Sequence, residues 1–323
     1  MRDMLELTEL TGIATLQDSG RRGFEKFGVP ASGPMDWFAY QAANSLLDNL
    51  PNSAVIELGL GELTLRALRN TSLSVTGSGY EVESYLWTFP LWTSFYVRAG
   101  WTVRVKKTGG GNWAYISIAG GFNSPVVMNS RSTYLRGGIG PALKIGDVLA
   151  PANPPADLLK LAARNFSGAG FMPYSQTPFI DVIRAPQADW FTPEGICAFY
   201  ENEYIVSLPF DRMGYRLQTL APSSPTNTIT KKNARELISE GMMMGSIQIP
   251  ADGRPIVMMA DSPTAGGYPK IAHVTRASLP LLAQCEAGAG KIRFRETTVE
   301  EAQENRKKIS MVFKTPQDWK RMK

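Results

Sequence analysis

Residues 54–77 read AVIELGLGELTLRALRNTSLSVTG. Three short apolar runs, AVIEL, LTLRAL and TSLSVTG, are divided by glycine and asparagine. Runs of this length, broken by turn formers, are the pattern of successive β-strands. The pattern continues with SFYVRAG and WTVRVKK, and again with NWAYISIAGGF at residues 112–122. In the second half, FIDVIRAPQADWF and YIVSLPFDRMGYRL are strand-like, and residues 233–262 predict strand, turn at Asp252-Gly253, strand. Helical spacing is rarer. MDWFAYQAANSLL, residues 35–47, has it, with Asp36 at its start, where a carboxylate suits the N-terminal dipole. TVEEAQENRKKI begins with Thr298 and Glu301 in capping-box spacing. Many short strands and few helices predict a mainly β protein built as barrels or sandwiches.

A chain of 323 residues with 43% hydrophobic content suits two domains, each with its own core. PANPPAD, residues 151–157, holds three prolines and is the candidate linker, which divides the chain into residues 1–150 and 158–323. The formal net charge is +5, but residues 306–323 hold seven Lys/Arg against one Asp, so the remainder is about neutral. That is a charged tail and not a basic groove with interleaved aromatics, which argues against nucleic acid as a partner. No apolar run approaches the roughly 18 residues of a membrane span. MRDMLELTEL lacks the apolar core of a signal peptide, so the expected location is cytoplasmic, away from any membrane. One histidine and two cysteines make neither a disulfide framework nor a typical zinc site, and no metal is expected.

Nucleophile chemistry would combine His273 with Ser262 and Asp261, but no G-x-S-x-G elbow is present, and a lone histidine in KIAHV is more often structural. Nucleotide-binding glycine motifs are also missing; KKTGGGNW, residues 106–113, is more often a hairpin turn than a phosphate loop. Four clusters combine charge with glycine. The first is residues 17–21 with 28–36, containing Asp18, Arg21, Ser32 and Asp36. The second contains Arg131, Ser132 and Arg136. The third is DRMGYR, with Asp211 and Arg212. The fourth, ADSPTAGGYPKIAHV, residues 260–274, is either a substrate loop or a turn between strands. Arginine offers a rigid fork for carboxylates and planar amides, and glycine lets backbone approach a ligand closely. The plainer reading of each cluster is an Arg–Asp pair pinning loops together.

The motifs QDSGRRGFEKFGVPASGPMD, AANSLLDN, SRSTYLRGG, DRMGYRL, GSIQIPADGRPIVMMADSPTAGGYPKIAHV and AGAGKIRF run in order from about residue 12 to 303. In order and spacing they resemble the family described as allophanate hydrolase subunit 2, or biotin-dependent carboxyltransferase. That family includes the C subunit of the bacterial ATP-dependent 5-oxoprolinase, KipA, and the matching part of urea carboxylase. Departures are Ala185-Pro186-Gln187 for the usual Gly-Pro-Gln, GGIGPA for a longer glycine motif, and residues 261–265, which lack the arginine of the usual Asp-Arg-Gln-Thr. The resemblance implies two cyclophilin-like β-barrel domains around a central cleft, the second carrying the C-terminal helix. It implies partnership with two further proteins, one KipI-like and one lactam-hydrolase-like, in a complex that acts on a small amide or lactam. ATP would be used by the complex at a site not visible in this chain. Biotin enters under the alternative of carboxyl transfer, carried by another chain because no Met-Lys-Met tripeptide is present. A third alternative is a KipA-type protein that antagonises a kinase inhibitor. Under the resemblance, the catalytic candidates are Asp211, Arg212 and Asp261. Substrate contacts fall to Arg131, Ser132, Arg136, Gln248, Thr264, Gly266, Gly267, Tyr268 and Lys270. Asp18, Arg21, Ser32 and Asp36 would shape loops.

Overall fold

A computed structural model of the chain describes residues 3–208, 210–220, 228–232, 237–314 and 320–321. The first four residues of the 233–262 run and part of the basic tail lie outside them. The chain is mainly β with a few helices and forms two compact units. One comprises Met1–Arg21, Ser32–Pro173 and Met311–Lys323; the other comprises Arg22–Ala31 and Tyr174–Ser310.

In the first unit, residues 54–77 form the strands Val55–Gly59, Leu63–Ala67 and Thr71–Gly77. These successive strands do not pair with one another. Val55–Gly59 lies between Ile13–Gln17 and Trp113–Ile118, and Thr71–Gly77 lies between Trp113–Ile118 and Thr93–Val97. Leu63–Ala67 lies between Leu5–Leu10 and Thr102–Lys107 in a separate six-stranded sheet. The chain thus alternates between a seven-stranded and a six-stranded sheet. Ile56, Leu58, Leu73, Val75 and Ile116 of one meet Leu5, Leu7, Leu63, Leu65 and Val103 of the other in one buried core. Alternation along each strand sends these side chains to the shared face.

The opposite face of the seven-stranded sheet packs on the helix Trp37–Leu46. This explains why TSLSVTG is buried at every position. Leu73 and Val75 enter the core, while the alternate hydroxyls meet the helix: Ser74 Oγ donates to Ala43 O and Thr76 Oγ1 to Ala39 O, each at 2.7 Å. The helix begins where Asp36 was expected to start it. The Asp36 carboxylate accepts from the amides of Phe38 and Ala39, both at 3.0 Å.

Two connections differ from expectation. Residues 106–113 are not a hairpin, because Thr102–Lys107 and Trp113–Ile118 belong to different sheets. Residues 151–157 are not the boundary, since the first unit continues to Pro173. The amides of Ala152 and Asn153 donate to Gly121 O and Gly120 O, at 2.7 and 3.1 Å. A Cβ on Gly120 would stand 2.3 Å from Asn153 O, so this segment packs against the Gly-Gly turn. Prolines fix an extended backbone, but they do not stop its amides and carbonyls from pairing with a neighbouring turn.

The second unit contains a closed barrel in the order Phe179–Arg184, Lys270–Val274, Ser246–Gln248, Ile256–Met258, Gly214–Thr219, Tyr204–Val206, Lys291–Glu296. Closure is by the parallel pair Phe179–Arg184 and Lys291–Glu296. The pattern of period two is clean in Lys291–Glu296, where Ile292 and Phe294 are buried between exposed charges. Phe294 stacks on Phe199 with centroids 4.6 Å apart. Phe199 belongs to the helix Pro193–Glu201, which strand patterns did not reveal, although Thr192 caps it at Gly195 N and Pro193 opens it. The short helix Leu279–Gln284 was also not expected. The helix Val299–Met311 starts with the expected reciprocal cap, Thr298 N to Glu301 Oε2 at 3.3 Å and Glu301 N to Thr298 Oγ1 at 3.2 Å. Among the described residues no helix is long and apolar enough to cross a membrane.

Replacing Asp36 with alanine removes the acceptor for two helix amides. The expected loss is about 1 to 2 kcal/mol, read as a lower urea midpoint for the first unit.

Candidate functional site

The candidate residues fall into two sets, one in each unit. In the first unit, Asp18 follows the edge strand Ile13–Gln17 and is buried. Its Oδ1 accepts from Ser130 Oγ at 2.6 Å, Ser132 Oγ at 2.7 Å and Gly20 N at 2.9 Å. Its Oδ2 accepts from Arg131 N at 2.6 Å. One carboxylate therefore binds residues 130–132 to residues 18–20. Arg21 is also buried; its guanidinium donates to Ser132 O and, at 3.4 Å, to Ser32 Oγ. Ser32 itself has φ 54, a left-handed conformation that costs a serine energy and is held by these neighbours. Arg131 is half-buried, and Arg136 is exposed on the turn Leu135–Gly137.

Two residues that sequence reasoning passed over stand beside the helix start. Glu57 is buried in the middle of its strand, where Oε2 accepts from Met35 N and from the Tyr115 hydroxyl, each at 2.8 Å. Tyr115 in turn accepts from Asp36 N at 2.7 Å. Burial first, then the charges of Glu57 and Asp36, push the Tyr115 hydroxyl well up, so it stays a neutral donor. The glutamate in the otherwise apolar run AVIEL was the visible signal.

In the second unit, Arg212 and Asp261 form a two-pronged pair: Nε to Oδ2 at 2.8 Å and Nη2 to Oδ1 at 3.0 Å. Both side chains are under one-tenth exposed. Asp261 N also donates to Arg212 O at 2.8 Å, so backbone and side chain join the same two positions. Asp211 is exposed, and its Oδ1 accepts from Met213 N at 2.8 Å and Gly214 N at 3.3 Å. Asp211 thereby shapes the turn into Gly214–Thr219.

Residues 260–274 form a loop that leads into the barrel strand Lys270–Val274. Within the loop Ala265–Gly266 forms a ribbon with Glu240–Gly241, and Met242 N donates to Thr264 O at 2.9 Å. Gly266 lies so close to Gln248 that a Cβ would meet Nε2 at 2.7 Å. Gln248 Nε2 donates to Tyr268 O at 3.2 Å, while the Tyr268 side chain is half exposed. Gly267 runs beside residues 237 and 239. Lys270 is buried, and its ammonium donates to Glu240 Oε1, which also accepts from Gln187 Nε2 at 2.7 Å. Glu240 was not singled out from sequence, and Gln187 appeared only in the Ala-Pro-Gln motif; they lie 30 and 83 residues away from Lys270.

The triad reading does not hold. Asp261 is taken by Arg212, and the hydroxyl beside His273 Nδ1 is Ser246 Oγ at 3.2 Å, not Ser262. His273 is half-buried. Burial, then the Lys270 charge, holds its pKa below the ordinary imidazole value, and Glu240 opposes this. The hydrogen bond from Lys270 chiefly holds the Glu240 carboxyl below its usual range. The result is an imidazole held toward its neutral form beside an ammonium–carboxylate pair. Among the described residues no group of histidine, cysteine and carboxylate side chains could hold a metal.

Two outcomes are expected. Asp261→Ala leaves a buried guanidinium without its carboxylate and should cost about 3 to 5 kcal/mol in chemical denaturation. Lys270→Met removes a nearby positive charge, so the pKa of His273 should rise. As the chain's single histidine, it can be followed directly by proton NMR titration.

Known proteins share this framework. The family model for the carboxyltransferase domain, subdomains A and B, matches residues 27–296. The C subunit of the Haemophilus influenzae 5-oxoprolinase is 37% identical over 94% of this chain and 95% of its own length. That of Escherichia coli K12 is 33% identical over 93% of each. The crystal structure of the K. lactis urea amidolyase superposes with a TM-score of 0.85 at 25% identity, over 97% of this chain and 20% of that much longer one. The chain belongs to the carboxyltransferase-domain family, subdomains A and B.

Proposed function

We propose that the chain is the C subunit of an ATP-dependent 5-oxoprolinase, an enzyme complex that hydrolyses 5-oxo-L-proline to L-glutamate. The observation that carries this reading is the near full-length match, at 37% identity, to the C subunit of a 5-oxoprolinase. The partners this reading calls for are a KipI-like protein and a lactam-hydrolase-like protein, in a cytoplasmic assembly. The lactam is a poor electrophile, and opening it needs positive charge at the developing oxyanion and a grip on the substrate carboxylate. Arg212 and Lys270 are the residues of the second unit suited to that work, with Arg131 and Arg136 as candidates in the first. Both Asp261 oxygens accept from Arg212, so Asp261 orients that guanidinium. The exposed Asp211 is the candidate base. Gln248, Thr264, Gly266, Gly267 and Tyr268 line the loop side.

The glycine loop at residues 109–111 does not fit ATP. It is packed on residues 78 and 79, where a Cβ on Gly79 would meet Gly109 O and Gly111 N at 2.5 Å. The Lys107 ammonium donates to Gly111 O. In this reading ATP is used by the complex at a site other than this loop. A second reading, carboxyl transfer to urea or another amide, is favoured by the family description and the urea amidolyase fold. It requires biotin delivered by another chain.

The test is glutamate release from 5-oxo-L-proline and ATP by this chain mixed with its KipI-like and lactam-hydrolase-like partners. Release should vanish when the chain is omitted and fall by about 10²-fold or more in Arg212→Ala. Full activity without the chain overturns the reading. Activity only with urea, bicarbonate and a biotin carrier establishes the second reading.

A further inference from the structure

Glu240 is the residue through which three separate segments meet. It lies in the strand Glu240–Gly241, directly opposite Gly266 of the ribbon partner Ala265–Gly266. Its Oε1 accepts from Gln187, beyond the strand Phe179–Arg184, and from Lys270, the first residue of a barrel strand. Gln187 closes the circuit, its Oε1 accepting from Lys270 N at 3.4 Å. The exposure of the partners is uneven: the Lys270 side chain is 6% exposed and that of Glu240 37%. A buried ammonium without a carboxylate is strongly disfavoured, so Glu240 is what allows Lys270 to sit charged at this place. At the other end of the same loop Asp261 is held by Arg212. Residues 261–270 are thus pinned at both ends by ion pairs. Gly266 is squeezed between them against Gln248 and Met242.

We infer that Glu240 is a positioning residue. Its carboxylate, steadied by Gln187, fixes the Lys270 ammonium and the closing end of the 261–270 loop for the carboxylate of the substrate. The inference rests on the 5-oxoprolinase reading for its substrate. The ammonium has three N–H donors, and Glu240 takes one direction of them. The carboxylate of 5-oxo-L-proline is unchanged while the lactam C–N bond breaks and water supplies the new carboxyl oxygen. An interaction with it is equally strong in the ground and transition states, and its loss appears in KM rather than kcat.

The experiment compares Glu240→Gln, Glu240→Asp and the exchange Glu240→Lys with Lys270→Glu. In the reconstituted complex, Glu240→Gln should raise KM for 5-oxo-L-proline about tenfold with kcat within about threefold of the parent. Glu240→Asp, which keeps the charge, should recover most of the loss. A purely structural role predicts instead that the two variants are equally impaired and that kcat falls with stability; that result overturns the inference, as does an unchanged KM in Glu240→Gln. A second readout needs no turnover and uses the isolated chain. Because the Glu240 charge raises the pKa of His273, Glu240→Gln should lower it, while Glu240→Asp and the exchanged pair should not. If the parent complex releases no glutamate, the functional reading fails by itself. The His273 titration then judges the positioning, and an unshifted value in Glu240→Gln overturns it. Should Glu240→Gln not fold, Glu240→Ala, which also removes the charge, takes its place beside Glu240→Asp in both readouts.

Discussion

A sheet covered on both faces has no water to satisfy its polar groups, and the first unit is arranged around that constraint. One face of the seven-stranded sheet is core, and the other carries a helix. Hydroxyls on the helix side reach helix carbonyls, and Asn49 gathers Asn44, Ser117, Ile118 and Gly120 into one bonded group. The carboxylates of Asp18, Asp36 and Glu57 are buried in the same unit, and each is supplied with backbone or hydroxyl donors. Charge held by neutral donors needs no cation and leaves little play. The loops at residues 18–20 and 130–132 are therefore as well placed as the strands that carry them.

The second unit meets the same constraint with ion pairs. Arg212–Asp261 and Lys270–Glu240 each place a cation out of water beside a carboxylate. Such pairs add little net stability, because desolvation offsets the attraction, but breaking one is costly. Their effect is to specify position. The loop between them is glycine-containing and carries an exposed tyrosine, and without fixed ends it would have many conformations. Local rigidity of this kind holds the residues between the two pairs in one arrangement.

Particular residues show where reading by pattern succeeds. Asp36 and the Thr298/Glu301 box act within one helical turn, so their roles follow from spacing. Strand existence follows from apolar runs, since each run reports its own burial. The helix Pro193–Glu201 was missed although Thr192 and Pro193 announce it, because its flanks are strand-like and few residues lie between them. Glu240 had no local sign, and Gln187 stood only in a family motif without a role, for their meaning comes from Lys270, which is distant in sequence.

The amino-acid sequence by itself determined the mainly β class, the starts of the helices Trp37–Leu46 and Val299–Met311, the family motifs and most of the charged loops where candidate roles fall. These are local properties, decided by periodicity, capping and turn chemistry. Tertiary structure decided which strands pair, that residues 151–157 belong inside the first unit, that Asp261 serves Arg212 rather than His273, and that Glu240 holds Lys270. Each of these depends on which distant groups are brought together when water is excluded. A buried carboxylate must find its donors wherever the packed chain supplies them, whatever their separation in sequence.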